Sequence, residues 1–594
     1  PASTYVQIFN SDSALPVLMA NDATLDLFRA YIYGQDQIGA WPFLAARLVG
    51  RLLGYTWTAH GIFFAQTCWL FLSCLPVAWL QRRHGLLAGG LWLATLCLHP
   101  GVSHYLFVLN QRYAWQLTPL MFSWWALRRL CEMSAGVRPR IEDDDGAHHH
   151  GQAARWSLAR WTRIRPSWAR RLSARHWSLT LFFAALFLFA FLAIWISPLS
   201  VPALCLLFAL ETFRARLLAH SSATATTGGA PARLASWDSW RGLAPIMAAA
   251  FMEWLLKAAY HRHALKHFGK EFRTPVEFDR SFLWENLSAQ WQVLTRPRQQ
   301  WDQQWWWWPL TLLATLASCW LLVYLFRVWR GTRRQHSGKH QAITNGVMID
   351  QTDVMMIDQA ALALGAGALA LLNFAPTVLF SWIRLNAYGP RYLALTHLFG
   401  AFAGLLAVVA FISRLPPVAV RRDQILTSLT ALVFAVLLLG FPPISRNPEY
   451  DQLQNVATAL AQKAPTGGAV LLGGYWDTYV FAGLRPGANF VPVPAENQEV
   501  RTPWTPELLR QAPEVIVVHH PFAATSEVET PPAYENFGGR AHPQSIIEQH
   551  GATLELVDAR WLEAGDFTFA LYRNRTPATA TAQPATTGRP KERG

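Results

Sequence analysis

The chain has 594 residues, of which 52% are hydrophobic and only 15% are charged, against an ordinary charged share of about 25%. It exceeds the length of one ordinary soluble domain, and its 29 Trp and 34 Phe are typical of a protein in a bilayer with aromatic belts at both surfaces. The formal net charge of +14 does not indicate nucleic-acid binding, because most Arg residues stand in short loops between apolar runs. All six Cys fall in or beside predicted spans, which argues against a disulfide framework and a Cys-based zinc site.

The first 57 residues are predicted to form an extracytoplasmic loop and an interfacial helix. Residues 1–40 are polar, and Asn21 is placed to cap a short helix over residues 23–30. Residues 41–54 show the pattern of an amphipathic helix. We expect this second helix to lie in the membrane interface rather than to cross the bilayer.

Apolar runs of about 20 residues, the length that a membrane helix needs, recur through residues 58–441. The predicted spans are 58–81, 85–101, 104–127, 177–196, 199–217, 242–260, 307–328, 357–380, 391–413 and 425–441. The pair at 177–217 also fits a re-entrant hairpin broken at Ser197-Pro198. We therefore expect an α-helical polytopic membrane protein with about ten spans.

Arg-rich short loops predict the orientation of these spans. Five loops fall on one side of the bilayer, and the positive-inside rule makes that side the cytoplasm. These loops contain Arg82-Arg83-His84, Arg128-Arg129, Arg214 with Arg216, Arg327 to Arg334, and Arg414 with Arg421-Arg422. The N-terminal loop, the 261–306 loop and the chain after residue 442 are then expected outside the cytoplasm, at the inner (plasma) membrane.

Two further segments differ in composition from the membrane region. Residues 131–176 are predicted to be a cytoplasmic insert, whose acidic and His clusters fit a solvated loop better than a metal site. Residues 442–575 are predicted to form an extracytoplasmic α/β domain, because helices alternate there with short apolar strands, and residues 576–594 a disordered tail. The domain's predicted helices are 451–463, 506–511 and 545–550, and its predicted strands are 469–473, 489–493, 514–519, 553–557 and 567–572.

Four carboxylates crowd the N-terminal loop, and two of them are candidates for chemistry. Asp12 has only Ser neighbours and is expected just beyond the end of a preceding span, and Asp36 stands among Gly and Gln residues and is not needed as a helix cap. Asp22 and Asp26 are better explained as first-turn and surface residues of the short helix beside them. For any single loop Asp a solvated side chain is the more frequent case. The sequence Asn10-Ser11-Asp12-Ser13 favours a functional role for Asp12, because this run resembles a known family.

The order of these parts resembles the GT-C glycosyltransferases, most closely the bacterial branch related to protein mannosyltransferases and the lipid A aminoarabinose transferase. The likeness is carried by Asn10-Ser11-Asp12-Ser13, the interfacial helix, the alternating spans and the C-terminal α/β domain. The segment from Asn386 to Leu393 is similar to the family's Arg-Tyr-Leu segment at the outer end of a late span. Gly474-Tyr475-Trp476-Asp477 looks like a Tyr-Trp motif early in the exported domain of related proteins.

The resemblance implies transfer of a sugar from a polyprenyl-phosphate donor to an extracytoplasmic glycan, lipid or protein acceptor, with inversion. Asp12 matches the loop acid that acts as the base, Asp36 is second and orients the acceptor or a metal ion, and Arg391 is the phosphate partner. Asp12 departs from the family in lacking a full Asp-x-Asp or Asp-Glu pair, so the resemblance leaves the use of a divalent metal ion open. The further candidate binding residues are Tyr388, Tyr392, His99, His104 and Arg262.

Other interpretations of these residues remain open. Arg391 fits an interfacial snorkelling Arg equally well, and lone His residues such as His99 and His104 are more often interface residues. A transporter would carry ionisable residues within its spans, and Glu253 with Lys257, four apart, fits either a relay or a self-satisfied pair. In a non-catalytic envelope assembly protein, the C-terminal domain would bind a partner and Asp12 would be incidental. Asp12→Asn, compared with wild type on polyprenyl-phosphate sugars, separates these hypotheses.

Overall fold

The computed structural model describes most of the chain. The described residues are 11–81, 85–99, 112–134, 174–223, 240–272, 281–295, 351–384, 390–414, 428–433, 448–519 and 543–575, apart from 23, 25, 34, 270–271, 381–383, 385–389, 466–467 and 497–500, with a few isolated residues elsewhere. The predicted insert and tail therefore lie almost wholly outside the described residues. So do the predicted span 307–328 and most of 425–441.

Fifteen α-helices and eight strands are used below, numbered in chain order over the described residues. The helices are α1 (Ser11–Asn21), α2 (Trp41–Leu53), α3 (Ala59–Leu72), α4 (Cys74–Leu80), α5 (Gly85–Leu98), α6 (Arg112–Ser134), α7 (Ala174–Ile196), α8 (Ser200–Ala223), α9 (Trp240–Phe268), α10 (Leu283–Thr295), α11 (Gln351–Leu379), α12 (Ala394–Arg414), α13 (Pro448–Lys463), α14 (Tyr475–Leu484) and α15 (Thr505–Gln511). The strands are β1 (Tyr31–Ile32), β2 (Gln35–Gly39), β3 (Val470–Gly473), β4 (Val491–Pro494), β5 (Glu514–His519), β6 (Ile546–Gln549), β7 (Ala552–Ala564) and β8 (Phe567–Asn574).

The N-terminal segment is more ordered than its polar sequence predicts. Its first part forms the helix α1, in which Leu15, Val17 and Met19 are fully buried. The prediction that Asn21 caps a helix over 23–30 is wrong. Asn21 is the last residue of α1, and its side chain exchanges hydrogen bonds with the backbone of Trp57 at 2.8 and 2.9 Å. A short 3-10 turn at Leu27–Ala30 follows, and β1 and β2 then pair antiparallel.

The predicted amphipathic helix is confirmed as α2, which begins at Trp41 with Pro42 in its first turn. It ends at Gly54, whose φ of 62° is the left-handed conformation that favours glycine at a helix C-terminus. Its apolar side chains Leu48 and Leu52 are exposed, Leu52 to 75%. By contrast, Arg47 is buried and donates to the backbone oxygen of Met19 at 2.6 Å. The exposed apolar face fits a helix lying in a membrane interface.

Five helical segments are long and apolar enough to cross a membrane, which is consistent with a membrane protein. They are Ala59–Leu80, Leu179–Ile196, Gly242–Phe268, Ile357–Leu379 and Ala394–Ile412. Each coincides with a predicted span. The predicted span 85–101 corresponds to the shorter apolar helix Gly85–Leu98. The predicted spans 104–127 and 199–217 fall on α6 and α8, which are helical but carry buried charged side chains.

These charges form a buried ion cluster where α6, α8 and α11 meet. Arg214 of α8 contacts Glu211 at 2.6 Å and Glu132 of α6 at 2.8 Å, and it also reaches Asp358 of α11. Arg128 of α6 contacts Glu211 at 3.0 Å. Because each buried charge has an opposite partner, these helices can carry ionised residues inside an apolar bundle.

The C-terminal domain is built on a six-stranded sheet of order β4-β3-β5-β8-β7-β6. Strands β3, β4 and β5 run parallel, and the remaining pairs are antiparallel. This confirms an α/β domain, and the predicted strand 514–519 matches β5 residue for residue. The predicted helix 545–550 is wrong: Ile546–Gln549 forms the edge strand β6, because pairing with β7 supplies its backbone hydrogen bonds.

The N-terminal helix packs directly on the C-terminal domain. Helix α1 lies against α14, the helix that follows β3, and a Cβ added at Gly483 of α14 would stand 2.6 Å from the Cβ of Ala14. The backbone of α14 at Gly483 therefore lies directly against the side chain of Ala14 in α1, which leaves no room for a larger residue at Gly483. This close packing brings the start of the chain to the domain that ends it.

Candidate functional site

Asp12 lies in the first turn of α1, where it faces the C-terminal domain. The hydroxyl of Tyr475, the first residue of α14, donates a hydrogen bond of 2.8 Å to Oδ1 of Asp12. Burial and the nearby Asp12 carboxylate raise the pKa of Tyr475 well above its usual range. The phenol therefore keeps its proton and remains a donor at neutral pH. The Asp12 side chain itself is half-buried.

Arg501 supplies positive charge beside this pair. Its guanidinium carbon is 6.0 Å from the centre of the Tyr475 ring. With the amide of Gln35 turned so that its oxygen faces the guanidinium, that oxygen accepts from both Nη atoms of Arg501 at 2.9 Å. Arg501 follows β4, and Tyr475 follows β3, so both stand beyond the carboxyl ends of parallel strands. That edge, where strand order reverses about β3, is where open α/β sheets bind ligands.

Asp36 is the neighbour of Gln35 on β2 and is only 5% exposed. Its Oδ2 lies 3.2 Å from Nζ of Lys257 and 3.3 Å from Nε2 of His261, both on α9. Gln35, next to Asp36 in β2, and Arg501, beside Tyr475, therefore bring the two predicted carboxylates into one region. We call the set Asp12, Gln35, Asp36, Lys257, Tyr260, His261, Tyr475 and Arg501 the carboxylate cluster.

One turn before Lys257, the buried carboxylate of Glu253 accepts a hydrogen bond of 3.0 Å from the hydroxyl of Tyr31. Burial and the adjacent Glu253 carboxylate raise the pKa of Tyr31 above its ordinary value. Glu253 and Lys257 are thus engaged by different residues of the N-terminal segment, Tyr31 and Asp36. A self-satisfied pair of Glu253 and Lys257, one of the two interpretations of the sequence, accounts for neither contact.

An aromatic core holds the N-terminal segment, α9 and the C-terminal domain together around this cluster. The ring of Phe28 lies 5.5 Å from that of Tyr260, 5.0 Å from Phe268 and 5.7 Å from Trp504, measured between centroids. The guanidinium of Arg29 stacks 4.3 Å above the Trp504 ring. Because these rings come from three parts of the chain, the cluster is assembled by tertiary packing and not by one motif.

The carboxylate cluster and the buried ion cluster lie at separate points along α9. A Cβ added at Gly242 would meet Phe208 at 2.9 Å and Leu127 at 3.3 Å, next to the ion cluster. Lys257 stands at the carboxylate cluster. At about 1.5 Å per residue, the helix separates Gly242 from Lys257 by about 22 Å, most of the thickness of a hydrocarbon core.

Some of the other predicted site residues lie away from the carboxylate cluster, and some lie outside the described residues. His99, at the end of α5, packs its ring 5.2 Å from that of His397 on α12. Tyr392 is half-buried in the 3-10 turn before α12, close enough to Arg112 to act on it electrostatically. Arg262 is exposed on α9, whereas its neighbour His261 contacts Asp36. The side chain of Arg391 and the residues Tyr388 and His104 lie outside the described residues.

Among the described residues, no three His, Cys, Asp or Glu side chains come close enough together to hold a metal ion. Sequence reasoning missed Arg501, Tyr260 and the role of Gln35. The available signal for Arg501 was its place just after a predicted strand of the C-terminal sheet. Its pairing with Gln35, 466 positions away by number, follows only from the packing of α1 on α14.

The fold and site define a mainly helical protein with candidate membrane spans, a C-terminal α/β domain and a buried carboxylate cluster between them. No protein-family model matches this chain, and no curated protein matches it.

Proposed function

We propose that this protein is a GT-C-type membrane glycosyltransferase that moves a sugar from a polyprenyl-phosphate donor to an extracytoplasmic glycan, lipid or protein. The observation that carries the proposal is the contact between Asp12 and Tyr475, with Arg501 beside them. It joins an acid, a protonated hydrogen-bond donor and a cation at the ligand-binding edge of an α/β sheet. Glycosyl transfer to a hydroxyl needs the acid and the cation.

Asp12 is proposed as the general base. In an inverting transfer it takes the proton of the acceptor hydroxyl while the acceptor oxygen forms its bond to the anomeric carbon. The bond from that carbon to the phosphate oxygen breaks on the opposite face, and its electron pair leaves with the polyprenyl phosphate. Tyr475 fixes the direction of the Asp12 carboxylate through Oδ1, which leaves Oδ2 for the acceptor proton.

Arg501 is proposed as the cation that stabilises the departing phosphate, where negative charge accumulates in the transition state. Its place beside Tyr475 and Gln35 puts it within the carboxylate cluster. Arg391 stays a second candidate for this role, because it precedes α12 in the sequence segment that resembles the family. A divalent metal ion stays an open alternative for the same task.

The proposed location is the inner (plasma) membrane, with the carboxylate cluster and the C-terminal domain on the extracytoplasmic side. In support, Arg128 and Arg214, which the sequence analysis assigns to cytoplasmic loops and which the structure places within α6 and α8, both contact Glu211 in the ion cluster, away from Lys257 along α9. The exposed apolar face of α2 would then rest at the extracytoplasmic surface of the bilayer.

The test compares Asp12→Asn with wild type in membranes supplied with polyprenyl-phosphate-linked mannose or aminoarabinose and an envelope extract as acceptor. Asn keeps the oxygen that accepts from Tyr475 but cannot take a proton, so transfer should fall at least 100-fold with the folded protein retained. Asp558→Asn, at an exposed carboxylate of the C-terminal sheet, is the matched control and should transfer at the wild-type rate. Unchanged transfer by Asp12→Asn removes Asp12 as the base.

A transporter is the second candidate, favoured by one observation. Glu253 is a buried carboxylate within a candidate span, hydrogen-bonded to Tyr31. Intramembrane carboxylates of this kind mark ion pathways in transporters. If neither wild type nor Asp12→Asn consumes a lipid-linked sugar while vesicles show a solute flux that Glu253→Gln abolishes, the transporter hypothesis replaces the glycosyltransferase. Absence of both activities leaves the envelope assembly protein.

A further inference from the structure

Tyr260 carries a buried hydroxyl that the proposed chemistry does not yet use. Its side chain on α9 is fully buried, and its ring packs 4.9 Å from that of Tyr31 and 5.5 Å from that of Phe28. Among the described residues the Tyr260 hydroxyl has no hydrogen-bond partner. Buried hydroxyls are nearly always paired, because an unpaired one loses its bonds to water without compensation.

The surroundings of this hydroxyl are polar and charged. Asp36 and Arg501 both lie close enough to act on it electrostatically. Asp36 is in turn held by Lys257 and His261, one on each side of Tyr260 in the helix. Tyr260 therefore lies on the same stretch of α9 as the two residues that hold Asp36, within electrostatic reach of the Asp36 carboxylate and the Arg501 guanidinium.

We propose that the Tyr260 hydroxyl and the Asp36 carboxylate form a subsite for a hydroxyl group of the transferred sugar. A sugar hydroxyl both donates and accepts, so it can accept from Tyr260 while it donates to Asp36. Lys257 and His261 then act as the supports that fix the direction of the carboxylate. In this arrangement Tyr260 is a positioning residue. The inference rests on the proposed function, since it names the part of the same site that holds the sugar.

The subsite also explains why a hydroxyl stands in an aromatic core. Phe would pack equally well between Phe28 and Tyr31, and it would bury no polar atom. Retaining the hydroxyl therefore costs stability in the absence of a ligand, a cost that ligand-binding groups commonly carry. If the Tyr260 hydroxyl had a purely structural role, its removal would lower the stability of the fold.

The experiment measures Tyr260→Phe in detergent-purified full-length protein, with polyprenyl-phosphate-linked mannose or aminoarabinose as the probe. We expect the melting temperature without ligand to be unchanged or higher than in wild type. The KM for the lipid-linked sugar should rise about tenfold, and the increase in melting temperature on adding that sugar should shrink. Tyr31→Phe, in the same aromatic core, is the stability control and should melt lower, because Glu253 loses its donor. Tyr572→Phe, in the distant sheet, is the activity control.

Each outcome decides the inference. A Tyr260→Phe protein with unchanged KM and unchanged ligand-induced stabilisation overturns it, as does one that melts lower without ligand. If Asp12→Asn is inactive while Tyr260→Phe is fully active, the inference fails and the proposed function stands. If wild type neither transfers nor is stabilised by any lipid-linked sugar, both fail together.

Discussion

The hydroxyl of Tyr475 donates to the carboxylate of Asp12 across 463 positions of the chain, at 2.8 Å. The candidate base thus belongs to the N-terminal segment, and the group that orients it belongs to the C-terminal domain. The N-terminal segment supplies the acceptor of this hydrogen bond and the C-terminal domain supplies its donor. Any change that separates α1 from α14 should therefore remove activity even where both parts remain folded.

Tyr475→Phe tests this contact directly. The substitution removes the donor and keeps the ring, so transfer should fall about 10- to 100-fold, as expected for the loss of one hydrogen bond to a charged group at about 1.5–3 kcal/mol. Because the pKa of Tyr475 is raised, wild-type activity should also show no loss from Tyr475 ionisation as the pH rises to about 10. The measurement is the initial rate of sugar transfer from pH 6 to pH 10.

Tyr572→Phe is the control for this substitution, since it removes a hydroxyl that donates to the backbone oxygen of Gln544 far from Asp12. Its transfer rate should equal that of wild type. Equal rates for Tyr475→Phe and Tyr572→Phe would show that the Asp12 contact has no part in the reaction.

Asp22 stabilises the N-terminal segment in a pH-dependent way. Burial opposes its ionisation, but the guanidinium of Arg29 at 2.6 Å and the hydroxyl of Tyr33 outweigh burial and hold the pKa of Asp22 below its ordinary value. A lowered folded pKa gives stability that is complete above the unfolded pKa of about 3.9 and is lost as the pH falls through the folded one. Asp22→Asn should therefore cost about 2 kcal/mol at pH 7, and its melting temperature should begin to converge on that of wild type as the pH falls below about 4, toward the lowered folded pKa of Asp22.

Asp26→Asn is the comparison, because Asp26 pairs with the same Arg29 but is more exposed. It should cost less than Asp22→Asn at pH 7. A constant difference between wild type and Asp22→Asn from pH 7 to pH 3 contradicts the assigned ion pair.

The sequence predicts those parts of the fold whose signal is local. Apolar length predicts five candidate spans, and short apolar runs between helices predict five of the six strands of the C-terminal sheet. The helix α14 is not predicted, because it is short and mostly apolar and packs between α1 and the sheet, so that no continuous polar face marks its period. The strand β6 was mistaken for a helix, because pairing with β7 outweighs the local preference of Glu548 and Gln549.

The sequence predicts the acids of the candidate site, but it does not predict the residues that contact these acids. Asp12 and Asp36 stand out as carboxylates without a capping role in an extramembrane segment. Their contacts to Tyr475, Lys257 and His261 come from residues hundreds of positions away. No periodicity or spacing reports such pairs, because they depend on how α1, β2 and α9 pack around one aromatic core.

The buried ion cluster predicts an asymmetry between two Arg residues of α8. Arg214 contacts the carboxylates of Glu132, Glu211 and Asp358, whereas Arg216 is exposed two positions later. Arg214→Met leaves buried acids without their cation and should cost about 3–5 kcal/mol. Arg216→Met should cost less than about 0.5 kcal/mol, as expected for an exposed site. Melting temperatures of the two variants in one detergent check the difference, and equal values would exclude a buried cluster.

Two glycines of α11 predict opposite effects of the same substitution. A Cβ at Gly365 would stand 2.5 Å from Cζ2 of Trp124, whose indole donates to Glu211 at 2.8 Å. Gly365→Ala must displace that buried ring and loosen the ion cluster, so it should cost about 1–3 kcal/mol. A Cβ at Gly367 would meet the Cβ of Ala403 at 3.9 Å, an ordinary contact.

Gly367→Ala should therefore stabilise the protein by about 0.5–1 kcal/mol, because alanine loses less backbone freedom than glycine when a helix forms. The two variants share one helix and one substitution, and they differ in burial and in the side chain that the new methyl group meets. Thermal unfolding of both in the same detergent gives the comparison. Equal melting temperatures for the two variants would show that Trp124 of α6 does not pack against α11 at Gly365.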